Sequence, residues 1–191
     1  MAKDSERLEQ EFIATCREKT GHDVAEWMDI IRPTGMDKPN AILKWLKDEH
    51  KLNHLQANFL SGMFLNGGKP VFDHKVLFAN LFAGKDHLLP VFRALETAVR
   101  EQHGDVELVP TKTYFSMEGK RVFGCATLTK NNIRVGLDLG DTPFDDYVQK
   151  AKSLGAMPNV THMVEIADPS QVNARLLSYV QQAYDRTHKK G

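Results

Sequence analysis

The stretch TYFSMEGKRVFGCATLTKNNIRVGLDL, Thr113 to Leu139, decides the fold. Its apolar residues recur at every second position, the period of a strand whose side chains alternate between two faces. Thr113, Phe115 and Met117 point one way, and Lys112, Tyr114 and Ser116 the other. Val122, Ala126 and Leu128 share a face opposite Arg121, Phe123, Cys125 and Thr127, while Ile133, Val135, Leu137 and Leu139 oppose Arg134, Gly136 and Asp138. Glu118-Gly119-Lys120 and Lys130-Asn131-Asn132 supply the turns. Three strands joined so tightly form an antiparallel meander, with a short strand at 106–109 ahead of it.

Downstream, Thr142-Pro143-Phe144-Asp145 reads as a helix start, with Thr142 at the N-cap and Pro143 at the first helical position, and Gly155 as its end. Val160 to Ile166 is a last strand, on which His162 shares a face with Val164 and Ile166. Asp168-Pro169-Ser170-Gln171 is expected to cap a terminal helix with the stripe Val172, Leu176, Val180, Ala183 and Tyr184, and the chain is expected to fray from His188.

Upstream, the period is helical. Leu8, Phe12 and Cys16 recur every four residues over about 5–19, and Gly21 stops that helix. Asp23 with Glu26, and Asn53 with Gln56, are capping boxes, while Pro39 suits the first turn of the helix between them. Asn66-Gly67-Gly68-Lys69-Pro70 breaks the chain, because glycine raises backbone entropy and proline forbids helix. Helices at about 72–82 and 87–103 follow. The expected fold class is α+β: a bundle of about four short helices over 1–66, then an antiparallel meander sheet packed by helices over 67–191.

The 191 residues carry 25 basic and 25 acidic side chains, and a basic excess of the kind that clamps duplex nucleic acid is missing. The apolar fraction of 41% suits a folded protein. No apolar run approaches the length of a membrane span, and the polar start is no secretory signal. Cys16 and Cys125 suggest no disulfide framework, so the expected setting is the cytoplasm.

Four carboxylates, Asp138, Asp141, Asp145 and Asp146, offer oxygen ligands to a hard cation, but helix capping accounts for most of them. His50 and His54 have the spacing of a metal pair, yet Leu52-Asn53 reads as a turn between them; no metal and no cofactor is expected. Gly62 to Pro70 echoes a phosphate loop without its lysine or hydroxyl, and no nucleophile elbow exists. What remains is the sheet face with Lys112, Tyr114, Ser116, Arg121, Phe123 and Arg134. Cations interleaved with aromatics hold anions or stack single-stranded nucleic acid.

Lys19-Thr20-Gly21, Trp27, Gly35, Ile42, Trp45-Leu46-Lys47 and Leu52 with Ala57 resemble a short bacterial helical domain of unknown function, whose pattern has glycine where Asn53 stands. Phe82-Ala83-Gly84, Lys112-Thr113-Tyr114, Lys120 with Phe123, Ile133-x-Val135-x-Leu137 and Ala183-Tyr184 resemble a second uncharacterised domain, often labelled a predicted transport protein. A more distant likeness, at fold level alone, is to frataxin-like iron chaperones. The expected function is a non-catalytic accessory protein binding an anionic ligand, a small phosphorylated molecule or single-stranded nucleic acid, at Lys112, Tyr114, Arg121, Phe123, Arg134 and His162. The helical module would meet a protein partner. The alternatives are a metal-handling chaperone on the acidic run, and an enzyme joining His162 to Tyr184 or Arg134.

Overall fold

The computed structural model describes residues 2–154 and 159–188. They form two compact units, one over Asp4–Asp73 and one beginning at His74.

The first unit is built from α1 (Ala2–Thr20), α2 (Val24–Ile31), α3 (Pro39–His50) and α4 (His54–Leu65). Both capping boxes form: Asp23 and Glu26 bond each other's backbone N–H at 2.9 Å, and Asn53 and Gln56 do so at 3.0 Å. The chain turns at Lys51, which takes the left-handed conformation (φ 57°), and Asn53 then opens α4. Phe12, Cys16, Trp27, Ile31, Ile42, Leu46, Leu60 and Met63 fill the core. The segment Gly67–Phe72 closes onto this unit, because the buried carboxylate of Glu9 accepts the N–H groups of Val71 and Phe72.

In the second unit, α5 (His74–Phe82) and α6 (Leu89–Gln102) precede β1 (Glu107–Pro110), β2 (Phe115–Glu118), β3 (Val122–Leu128) and β4 (Ile133–Leu137). A two-residue β5 (Gln149–Lys150), β6 (His162–Ile166) and α7 (Ala174–His188) complete it. Among the described residues the strands form one antiparallel sheet in the order β1-β2-β3-β4-β6-β5. One face packs on the helices through Phe92, Leu95, Phe115, Met117, Ile133, Val135, Val164, Leu176 and Val180. The other holds a smaller cluster of Cys125, Leu154 and Met163, with Tyr114 and Val160 against it.

Three expectations are corrected. No helix forms over 142–154. The Asp145 carboxylate accepts N–H groups from Tyr147 and Val148, which bends the chain toward β5 and buries Val148 in the core. Its expected end, Gly155, lies outside the described residues. Asp168 and Gln171 do form a capping box, but around a short 3-10 turn, Pro169–Gln171; α7 is opened by Asn173, whose side chain accepts from Arg175 and Leu176 N–H. Finally, strict alternation fails in β3. Met117 pairs with Gly124 but Glu118 with Val122, so Phe123 is a bulged extra residue and turns to the helix-covered face.

Candidate functional site

The six residues singled out from sequence do not form one surface. Lys112 is exposed in the β1–β2 connection. Tyr114, half-buried beside Cys125, has its pKa raised by burial. Arg134 stands across from Thr127 on β3 and Glu165 on β6, and its Nε donates to the Glu165 carboxylate at 2.9 Å. That charge is spent. Arg121 sits at the opposite end of β2 from Lys112, and Phe123 is buried on the other face. His162 is a satisfied core histidine: Nε2 donates to the Thr142 carbonyl at 2.9 Å, Nδ1 hydrogen-bonds with the Thr161 hydroxyl at 2.7 Å, and Phe144 packs on the ring.

The acidic run is also engaged. Asp138 accepts the Gly140 N–H and faces Arg186 at 3.4 Å, while Asp145 pairs with Arg175 at 2.8 Å. Two backbone N–H bonds and then that guanidinium hold the Asp145 pKa below the usual carboxylate range. Among the described residues no three histidine, cysteine, aspartate or glutamate side chains gather as a metal site. His50 ends α3 and packs against Trp27 and Trp45, so it does not join His54. The first unit holds a separate cavity of about 720 Å³ lined by Ile13, Val24, Met28, Met63 and Phe64 with the Asp29–Arg32 ion pair.

One constellation was not foreseen. Where α6 ends, His103 turns to extended backbone, and its ring stacks on Tyr184 at 4.0 Å between centroids. Tyr184 stacks in turn on His188, also at 4.0 Å, because residues four apart share a helix face. Phe123 meets His103, Tyr184 and His188 edge-on, which is where its bulge delivers it. The Tyr184 hydroxyl donates to both oxygens of Asp105, at 3.2 and 3.3 Å. Desolvation, then Asp105, pushes the Tyr184 pKa up, so the phenol stays a donor. Burial lowers the His103 pKa against the opposing pull of Asp105 and Asp185, and its Nε2 has no hydrogen-bond partner.

The β2–β3 turn lies against this column. An added Cβ at Gly119 would stand 3.2 Å from both Asp105 Oδ2 and His188 Nε2, tighter than ordinary van der Waals contact. The Arg121 N–H donates to His188 Nε2 at 3.3 Å. The side chains of Lys120 and Arg121 are exposed, and neither is ion-paired with any described residue. Free cations, a backbone donor and stacked rings thus meet at one end of the sheet, at the β2–β3 turn. The arrangement suits a planar or anionic ligand.

A family profile, domain of unknown function DUF5655, matches residues 78–187, more than half of the chain. The chain belongs to the DUF5655 family. Residues 9–64 match a second profile, domain of unknown function DUF4287. No curated protein matches the chain, and no solved structure does. Within the DUF5655 segment lie His103, Asp105, Phe123 and Tyr184, while His188 falls one residue beyond it. The signal available in the sequence was the pair Tyr184 and His188 at helical spacing; nothing local announces that His103 joins them.

Proposed function

We propose that this DUF5655 protein is a non-catalytic binding protein whose second unit takes an anionic ligand with a planar ring, a nucleotide or a short single strand. The observation that carries the reading is the pair of unpaired cations, Lys120 and Arg121, on the turn that touches the His103–Tyr184–His188 column. His188 is the outer ring of that column and is partly exposed, so a ligand ring extends the stack while the turn meets its phosphate. The anion patch expected from the sequence is thereby moved to its Arg121 and Phe123 half, since Glu165 already neutralises Arg134. Two buried free cysteines suit a reducing cytoplasm.

The test is titration of the whole protein with a labelled mononucleotide and a short single-stranded oligonucleotide at two salt concentrations. The Lys120→Ala/Arg121→Ala double variant loses about tenfold or more in affinity, roughly 1.5 kcal/mol, and its salt dependence becomes shallower. Affinity that the double variant leaves unchanged removes the proposal.

A further inference from the structure

The turn and the ring column meet through His188, and its two nitrogens have fixed roles. Nδ1 faces the Tyr184 carbonyl at 2.8 Å, an acceptor only, so Nδ1 carries a proton. Nε2 faces the Arg121 N–H, a donor only, so Nε2 offers its lone pair. Only the neutral ring with its proton on Nδ1 satisfies both neighbours. A second proton sets N–H against N–H and breaks the contact with the turn.

A new partner stands beside it. Asp105 Oδ2 and His188 Nε2 flank Gly119, each 3.2 Å from the point where a Cβ would be, with Tyr184 Cε2 3.4 Å from the same point. We infer that His188 is an acid-operated gate on the anion site. Neutral, it occupies the Arg121 N–H; charged, it turns to Asp105 and releases that N–H, together with Lys120 and Arg121, to an oxyanion. This gate rests on the reading of the turn as an anion site.

The groups around the ring set the direction of the coupling. Asp105 favours the charged imidazole, as does Asp185 on its own helix. Lys120 and Arg121 on the turn oppose it, as does His103 when protonated. The Tyr184 hydroxyl, held as a donor to Asp105, carries no charge. An anion bound at the turn cancels the two opposing cations. Proton uptake by His188 and anion uptake by the turn therefore favour each other, and the coupling is reciprocal. Imidazole is the side chain suited to such a change between pH 5 and 8.

The decisive experiment has two arms on the full chain. Without ligand, nitrogen-15 NMR at pH 8 finds His188 protonated on Nδ1 alone, and from pH 8 to pH 5 its ring signals and the Arg121 amide move together. His188→Gln makes that amide insensitive to pH. With sulfate as probe, whose charge is constant over this range, affinity rises about tenfold from pH 8 to pH 5 in the parent and stays level in His188→Gln. An Nε2–H ring at pH 8, or an Arg121 amide that ignores the titration, overturns the gate. Equal sulfate affinity at both pH values also overturns it. Should the ring and amide move as inferred while sulfate binds at neither pH, the protonation-driven release of the Arg121 N–H stands, and the anion reading falls together with the gating role built on it.

Discussion

The buried carboxylate of Glu9 grips the N–H of Val71, 62 residues away in the chain, with both oxygens at 2.9 and 3.0 Å. Its second oxygen also takes the Phe72 N–H at 2.8 Å. This single side chain on α1 satisfies two backbone donors that have left helical structure, and so fastens Gly67–Phe72 to the first unit. Glu9→Ala leaves two partly buried donors without their acceptor, and is expected to cost roughly 2–3 kcal/mol. Glu9→Gln keeps one acceptor and costs less, about 1–2 kcal/mol. Urea denaturation of the two variants checks the order; an alanine variant as stable as the parent rejects it.

Glu9 also marks where sequence reading stops. The helices of the first unit, their two capping boxes and the meander follow from spacing alone, because apolar period and turn chemistry are local properties. A polar residue next to Leu8 on an amphipathic helix reads as solvated, and only the return of Val71 and Phe72 makes it a buried acceptor. Phe123 fails for a similar reason: alternation assigns it to the face of Arg121, and the register shift opposite Met117 and Glu118 reverses it. Asp145 has a capping residue's chemistry and uses it, but for a turn instead of a helix. His103 and Asp105 are brought to Tyr184 by the fold, so the ring column leaves no contiguous signature.

Gly136 belongs to the face of the sheet that carries Cys125. A Cβ there would lie 2.7 Å from Cys125 Sγ, 2.7 Å from Leu154 Cδ1 and 2.9 Å from Val160 Cγ1. Three packed atoms cannot all yield. Gly136→Ala is expected to destabilise the second unit by roughly 1–3 kcal/mol. Faster hydrogen exchange in β3 and β4, with α1–α4 unchanged, is the readout; uniform protection in both units contradicts it.

Burial pushes the Cys125 thiol up to about 12 and raises Cys16 as well. The thiolate is the reactive form, so neither cysteine reacts appreciably with a disulfide reagent at pH 8 while the chain is folded. In denaturant both react. Counting released chromophore with and without urea checks this, and rapid labelling of the folded protein refutes it.

His103 gives the second unit a pH dependence whose sign can be worked out. Burial lowers its folded pKa below the unfolded value near 6.5, so the unfolded chain takes up a proton where the folded one resists. Stability from this group is therefore complete above about pH 6.5 and is lost as pH falls toward and through the lower folded value. The depressed pKa of Asp145 acts with the same sign, but only in the carboxylate range further down. His103→Phe keeps an apolar ring against Tyr184 and removes the proton. Its stability is expected to be flat between about pH 7 and pH 5, where the parent declines. Thermal midpoints of parent and variant measured across that interval decide the matter, and parallel curves would show that His103 is not the group responsible.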